Sequence, residues 1–142
     1  VMAVNVTGVM LTNQIAIQHM LAKHTKGSIV NIASIAGRRP LPGASDYCVS
    51  KAAVIMLTKT VATEYSTLDI RVNAIGPGFI ETPMTANIRQ SPEWMELVMQ
   101  MTPMQRMGQA SEIASTALFL ASDESSYFNG QTLFPNGGMF VG

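Results

Sequence analysis

Charged residues are scarce in this sequence. Asp, Glu, Lys and Arg make up 13% of the 142 residues, against a usual ~25% in globular domains, while hydrophobic residues make up 47%. Because so few charged side chains are available to cover a solvated surface, we expect part of the apolar surface to meet another chain. Nine basic residues balance nine acidic ones, and no basic run marks a track for a phosphate backbone. A nucleic-acid partner is therefore not predicted.

Long apolar runs and paired cysteines are also absent. The longest unbroken apolar stretch, residues 52–57, has six residues, far fewer than the roughly 18 that indicate a membrane-spanning helix, so membrane insertion is not expected. Cys48 is the only cysteine, so no internal disulfide can form, and a reducing, cytoplasmic location is expected. No signal-peptide pattern opens the chain, and secretion is not indicated.

The length of the chain predicts one domain over residues 1–142. A chain of this length is near the ~100 to 150 residues most common for a single domain, and no internal repeat, low-complexity tract or linker divides it. The first residue is Val1 rather than methionine, which suggests a chain that lacks its natural beginning.

Hydrophobic spacing predicts alternating helices and strands. Apolar residues recur at three- and four-residue intervals from about 4 to 24, which indicates a helix that Gly27 helps to end. β-branched runs indicate buried strands at 28–33 and 70–75, and an uninterrupted helix reaches from a cap at Ser45 or Asp46 to about residue 66. Two strands joined through a helix are compatible with parallel pairing, so we expect an α/β sheet covered by helices.

Three prolines, at 83, 92 and 103, interrupt residues 83–108, for which we predict a lid with a short helix near 93–101. Six of the eleven methionines lie here, and flexible thioethers can line an adaptable pocket or pack in an ordinary core. Trp94 can likewise anchor the lid or fill the core. Beyond the lid we expect a helix capped by Ser111, a turn at 129–130 and a strand near 131–134. The buried side of that helix is expected to contain Ile113, Ala117, Leu118 and Leu120.

Tyr47 and Lys51 stand four residues apart near the start of the second predicted helix. This spacing puts their side chains on one helix face, about 5 to 6 Å apart at Cβ. A nearby cation favours the phenolate form of a tyrosine, so the pair can supply a general acid or base. The same spacing also occurs where a tyrosine is packed and a lysine is solvated, and the pair alone does not decide between these interpretations.

Ser34 lies thirteen residues before Tyr47, just beyond the carboxyl end of the first predicted strand. Open α/β sheets bind ligands at that edge, so the hydroxyl and the phenol are expected to converge. The motifs in chain order are NVTG at 5–8, NIAS at 31–34, YCVSK at 47–51, RVNAIGPGFIET at 71–82, GQTL at 130–133 and two glycines at 137–138. Over essentially the whole chain, this order resembles the short-chain dehydrogenase/reductase family.

The resemblance implies an α/β, partial Rossmann-like fold of three layers with a mostly parallel sheet. It also implies an oxidoreductase that interconverts a small-molecule alcohol and a carbonyl by hydride transfer with NAD or NADP. In such an enzyme Tyr47 is the general acid/base, Lys51 favours its phenolate and binds the nicotinamide ribose, and Ser34 hydrogen-bonds the substrate oxygen.

Five further residues match positions with a role in the family. Asn5 matches a fourth catalytic residue, whose amide helps to hold a water next to Lys51, although its residue type equally suits a helix-start cap. The segment nearest the nicotinamide corresponds to Pro77, Gly78, Ile80 and Thr82, with Ile80 using backbone atoms and Thr82 a hydroxyl. For Pro77 and Gly78 a simple strand-ending turn remains open.

A glycine-rich phosphate-binding turn is missing from the sequence, because no Gly-x-Gly-x-x-Gly or close variant occurs. We therefore expect the carboxyl-terminal portion of such an enzyme, with one flank of its sheet uncovered and poor affinity for a nicotinamide dinucleotide. The resemblance implies that the two long helices pair in a homodimer or homotetramer. The alternative is a truncated noncatalytic subunit or an interaction module that pairs through its helices.

Two other pairs of side chains are of types that can bind ligands. His19 and His24 have no nearby cysteine or carboxylate cluster, so no metal site is predicted. Arg38 and Arg39 border the loop after the first strand, where they can meet an acidic substrate or simply face solvent.

Overall fold

A computed structural model describes residues 1–141 and contains the predicted alternation of helices and strands. A π-helical segment, Ala3–Gly8, leads directly into the first α-helix. The elements are then α1 (Val9–Lys23), β1 (Gly27–Ile32), α2 (Ser45–Tyr65), β2 (Ile70–Ile75), α3 (Ala86–Gln90), α4 (Pro92–Met101), α5 (Ala110–Ala121) and β3 (Thr132–Leu133). No helix among residues 1–141 has both the length and the apolar character needed to cross a membrane.

The three strands form one parallel sheet in the order β1-β2-β3, which confirms the α/β fold class. Strand β1 pairs with β2 along its whole length, from Gly27 opposite Ile70 to Ile32 opposite Ile75. The outer edge of β1 has no partner strand among residues 1–141, and Ile32 is 49% exposed there. One flank of the sheet is therefore uncovered, as the sequence predicts.

Helices cover both faces of this sheet. On one face, Ile17 of α1 and Val61 of α2 pack with Ile70 and Val72 of β2 in a buried apolar cluster. Successive strand residues point to opposite faces, and Arg71 accordingly donates to the Leu120 carbonyl of α5 over 3.2 Å. The result is the three-layer arrangement of a partial Rossmann-like fold.

A buried polar network joins the first layer to the sheet. The side chains of Asn13 in α1 and Asn31 in β1 exchange two hydrogen bonds of 2.8 and 3.2 Å. Asn31 also donates to the Thr58 hydroxyl of α2 over 3.0 Å. Because buried polar groups are costly when left unpaired, this network fixes both helices against β1.

Three helix ends differ from the sequence predictions. His24, with a left-handed φ of 51°, ends α1, so the prediction that Gly27 helps to end it was wrong, and Gly27 is the first residue of β1. The predicted caps at Ser45 or Asp46 were wrong, because the cap residue of α2 is Ala44 and its side chain makes no capping bond.

Helix α5 begins after Gln109 rather than at Ser111, and the Glu112 carboxylate accepts a hydrogen bond from the Gln109 backbone N–H over 2.7 Å.

The later part of the chain follows the predicted order with local differences. The lid contains the predicted helix at α4 and also the shorter α3, while β3 has two residues where four were predicted. Leu120 is buried as predicted, but Leu118 is 72% exposed, so the predicted buried side of α5 was wrong at that residue. Trp94 is 57% exposed, and filling the core is therefore not its role.

Candidate active site

The carboxyl ends of the three strands are tied together by backbone hydrogen bonds. The Ala33 N–H donates to the Ile75 carbonyl over 2.7 Å, and the Ile35 N–H donates to the Pro77 carbonyl over 3.1 Å. The Gly78 N–H in turn donates to the Pro135 carbonyl beyond β3 over 3.2 Å. Parallel pairing thus continues into the loops, which brings the segment around Ser34 beside Pro77 and Gly78.

Ser34 lies two residues beyond the end of β1 and is buried. Its extended backbone opens a single 3-10 turn, Ile35–Gly37, and its hydroxyl oxygen accepts a hydrogen bond from the Ala36 N–H over 3.1 Å. This contact orients the side chain and uses the oxygen only as an acceptor. The hydroxyl proton remains available to a ligand oxygen.

Tyr47 and Lys51 occupy the first turns of α2, four residues apart on one side of the helix. The Lys51 Nζ lies 5.7 Å from the centre of the Tyr47 ring, within the ~6 Å range of cation–π attraction. The same Nζ donates to the Ile32 carbonyl at the end of β1 over 2.9 Å. Partial burial lowers the pKa of Lys51 from its ordinary value, because leaving water disfavours the charged amine.

Gly37 lets the loop after β1 approach α2 closely. A Cβ at this position would lie 2.8 Å from the Lys51 carbonyl carbon and oxygen, closer than a side chain can approach. Any larger residue would push the turn that carries Ser34 away from the helix that carries Tyr47 and Lys51. No sequence motif pointed to this role of Gly37, and it was missed.

Asn5 lies inside the π-helical segment rather than at its start, where Met2 is the cap residue. Its amide Nδ2 donates to the Ser50 hydroxyl over 3.1 Å, and that hydroxyl donates to the Tyr47 carbonyl over 2.7 Å. The helix-start cap considered for Asn5 was therefore wrong. The side chain instead links the π-helical segment to the first turn of α2, and π-bulges are frequent at functional sites.

A cavity of about 600 Å³ opens at the same edge of the sheet. Ser34 and Tyr47 both line it, together with the loop residues 35–36 and 39–42, Gly78 and Phe79 after β2, and Met139 near the carboxyl end. The lid supplies the remaining wall with Met84, Thr85, Ile88 and Met101. Ser34 and Tyr47, which the sequence expected to converge, therefore line one cavity.

The four residues matched to a nicotinamide-binding segment lie in different surroundings. Gly78 lines the large cavity, whereas Ile80 lines a smaller one of about 170 Å³. Thr82 immediately precedes residues 83–108, and its carbonyl accepts a hydrogen bond from Arg89. The turn at 76–78 also ends β2, and Pro77 and Gly78 bond to the neighbouring loops. Both residues therefore have the strand-ending role that the sequence left open.

The base of the lid is closed by backbone pairing. The Gly108 N–H donates to the Phe79 carbonyl and the Gly108 carbonyl accepts from the Glu81 N–H, both over 2.9 Å. Just beyond, Arg106 makes two hydrogen bonds to the Glu112 carboxylate, of 2.6 and 2.9 Å. Bonding to Arg106, then to the Gln109 N–H, lowers the pKa of Glu112 to about 2. Both ends of the segment 83–108 are therefore held against the rest of the fold.

The methionines of the lid divide between the two roles that the sequence left open. Met84 and Met101 line the cavity, whereas Met107 is a buried core residue with 3% of its surface exposed. Met139 was missed as a cavity residue, because only its position after the two glycines at 137–138, which have positive φ, brings it back over the site. No sequence periodicity marks such a return of the chain.

Comparison with known proteins gives a consistent result. The family model described as enoyl-(acyl carrier protein) reductase matches residues 1–140. A 3-oxoacyl-(acyl-carrier-protein) reductase from Thermotoga maritima is 44% identical over 141 residues, which are 99% of this chain and 56% of that protein. The chain thus spans about half the length of the curated relatives it matches.

Solved structures agree with these sequence matches. A putative 2-deoxy-D-gluconate 3-dehydrogenase from Agrobacterium tumefaciens with bound NADP superposes with a TM-score of 0.96 at 35% identity, over 98% of this chain and 56% of that one. A 4-hydroxyisoleucine dehydrogenase complexed with NADH gives a TM-score of 0.97 at 31% identity, over all of this chain and 58% of that one. Both similarities include the strand ends and the lid.

Proposed function

The chain belongs to the short-chain dehydrogenase/reductase family, and from this premise we propose that it carries the catalytic half of an enzyme that interconverts an alcohol and a carbonyl. The observation that carries the proposal is the shared cavity of Ser34 and Tyr47, with the Lys51 amine beside the Tyr47 ring. The noncatalytic alternative gives no reason for this convergence.

The proposed reaction needs a hydride acceptor or donor that side chains cannot provide, and a nicotinamide cofactor, NAD or NADP, supplies that chemistry when bound. The side chains here suit the nicotinamide end of such a cofactor, because Lys51 offers an ammonium and Thr82 a hydroxyl near the strand ends. No glycine-rich turn for its phosphates occurs in the 142 residues. We therefore assign to this chain only the nicotinamide end, through Tyr47, Lys51 and residues 77–82.

The proton steps belong to Tyr47. When hydride leaves the carbinol carbon of an alcohol, the hydroxyl proton becomes acidic, and the Tyr47 phenolate accepts it as general base. In the reverse direction the Tyr47 phenol gives its proton to the oxygen of the former carbonyl. The Lys51 Nζ lies 5.7 Å from the centre of the Tyr47 ring, so a charged Lys51 amine attracts the negative charge on the phenolic oxygen during these steps.

Ser34 stabilises the substrate oxygen during both directions of the reaction. Its hydroxyl oxygen is held by the Ala36 N–H, and its proton is free to donate to the oxygen on which negative charge develops. A fixed donor of this kind stabilises charge in the transition state without having to reorient. Asn5 acts as a positioning residue, because its amide bonds to Ser50 in the turn that carries Tyr47.

A test of the proposal compares Tyr47→Phe with the parent protein in an assay of nicotinamide absorbance, with panels of alcohols and ketones. Loss of the phenolic proton is expected to lower kcat by about 10² to 10⁴, the usual contribution of general acid–base catalysis. Tyr127→Phe is the matched control, because Tyr127 is fully exposed and its variant should keep the parent rate. Full activity of Tyr47→Phe would remove that residue from its assigned role.

We also propose that the chain forms a homodimer or homotetramer through α1 and α2. Large apolar side chains lie exposed on both helices, among them Ile15 at 65%, Val49 at 58% and Met56 at 60%. Protein interfaces are where large apolar side chains exposed on one chain become buried, and the low charge content of the sequence leads to the same expectation. A second copy of the chain is the partner that the family membership favours.

A further inference from the structure

The large cavity is mostly apolar, with few polar groups. Ser34 and Tyr47 present hydroxyls to it, while the Thr85 hydroxyl is already bonded to the Ile80 and Thr82 carbonyls. Most other lining groups come from aliphatic, proline, methionine and phenylalanine side chains. A cavity of about 600 Å³ lies within the range that holds ligands of tens of atoms. Its volume and lining therefore suit a substrate with a sizeable apolar body.

Arg39 stands out against this lining, because it is the only charged side chain among the described residues that form the cavity. It is half-buried, and its Nη1 donates to the Met139 carbonyl over 2.9 Å. A guanidinium has five N–H donors, so this bond holds the side chain in place and leaves most of its donors without a partner among residues 1–141. The ion pairs found within residues 1–141, Lys26–Asp123 and Arg106–Glu112, do not involve it.

A charge next to an apolar cavity is costly unless a ligand or side chain pairs with it. We propose, resting on the function proposed above, that the substrate carries one carboxylate on an apolar body and that Arg39 binds this carboxylate. The planar guanidinium fork matches a carboxylate with two parallel hydrogen bonds. A phosphate fits less well, because its charge near −2 would exceed the single positive charge and leave the remainder facing apolar side chains.

Arg38 provides an internal contrast. It precedes Arg39 in the same loop, but it is exposed and its guanidinium stacks over the Phe140 ring at 5.9 Å. It does not line the cavity. Two adjacent arginines thus have the same charge and different positions, and only Arg39 can reach a ligand that Ser34 and Tyr47 hold at its other end.

The first test measures binding without turnover. Calorimetric titration of the protein with octanoate and with methyl octanoate compares two ligands that share an apolar body and differ in charge. Octanoate is expected to bind more tightly, and Arg39→Gln should weaken its binding about ten- to a hundred-fold, as expected for the loss of a charge-assisted hydrogen bond. Arg38→Gln should leave the affinity for octanoate unchanged.

Two outcomes of the titration would overturn the proposal. The first is an octanoate affinity no higher than that of the methyl ester, which would mean that the cavity does not recognise the carboxylate. The second is an equal loss of affinity for both ligands in Arg39→Gln, which would mean that Arg39 only supports the cavity wall through Met139. The thermal unfolding temperature of each variant shows whether the fold is retained.

The second test separates this inference from the proposed function. Reduction rates are measured for a series of oxo-octanoates, with the ketone at different distances from the carboxylate, each beside its methyl ester. We expect a lower KM for the acids, and in Arg39→Gln a rise of KM for the acids alone. Turnover of acids and esters with equal KM would overturn the inference and leave the proposed function intact. If the acids bind more tightly than the esters but no ketone or alcohol is turned over, the proposed function would be overturned and the carboxylate site at Arg39 would remain.

Discussion

At the scale of single residues, the contacts of Lys51 and its partial burial have opposite effects on the charge of its amine. Its amine lies near the Tyr47 ring and donates to the Ile32 carbonyl, both of which favour a cation. Partial burial disfavours the cation and lowers the pKa of Lys51. A lowered pKa brings the charged and neutral forms of the Lys51 amine closer in free energy than in an exposed lysine.

We therefore predict that Lys51 releases its proton at a lower pH than the ordinary lysine value of about 10.4. A nuclear magnetic resonance titration of the protein with isotope-labelled lysine would measure this, with Lys51→Met assigning the signal. Because the folded pKa lies below the unfolded one, the contribution of Lys51 to stability should rise as pH increases between the two values. A Lys51 signal that titrates at or above the ordinary value would contradict the prediction.

At the scale of elements, the sequence predicts the type and order of most helices and strands but not all of their ends. The bounds of β2 match the prediction at both ends, because a β-branched run is followed at once by Gly76 and Pro77. Helix caps were harder to predict. Ser45, Asp46 and Ser111 all have side chains that suit a cap, but the helices begin one or two residues earlier. The cap residues are Ala44 and Gln109.

For buried residues and for the candidate site, local sequence patterns again predicted some features and missed others. Hydrophobic spacing predicted Leu120 as buried but could not reveal that Leu118 lies exposed, because periodicity does not say which part of a helix face is covered. Short motifs predicted the meeting of Ser34 and Tyr47 at one cavity. The parts played by Gly37, Arg39 and Met139 depend on contacts between distant segments, and no local pattern carries that information.

The contact of α1 and α2 with β1 is expected to depend on the buried amide of Asn31. Asn31→Ala removes bonds to Asn13 and Thr58 and should lower the free energy of unfolding by about 2 to 3 kcal/mol, from unpaired polar groups and a new cavity. Denaturant unfolding measures this difference. Asn87→Ala, the same change at an exposed position in α3, should stay within about 0.5 kcal/mol of the parent. Equal stability of the two variants would contradict a structural role for the network.

At the scale of the whole molecule, the exposed side chains of α1 and α2 are consistent with the low charge of the sequence. Light scattering is expected to give a multiple of the mass of one chain at micromolar concentration. Ile15→Glu should shift the mass towards that of the monomer, because a buried charge without a partner is costly at an interface. Ser111→Glu, at an exposed position on α5, is the control and should leave the mass unchanged. A single monomer mass for the parent protein would contradict the proposed assembly.

The central claim is that Ser34 and Tyr47 act on one substrate oxygen. The most direct measurement is a crystal structure of the protein with a bound nicotinamide cofactor and a ketone that it reduces. We expect the Ser34 Oγ and the Tyr47 Oη both to lie about 2.5 to 3.0 Å from the carbonyl oxygen, the usual range for hydrogen bonds between oxygens. A ketone oxygen bonded to neither hydroxyl, with both side chains pointing away from it, would contradict the proposed roles of Ser34 and Tyr47.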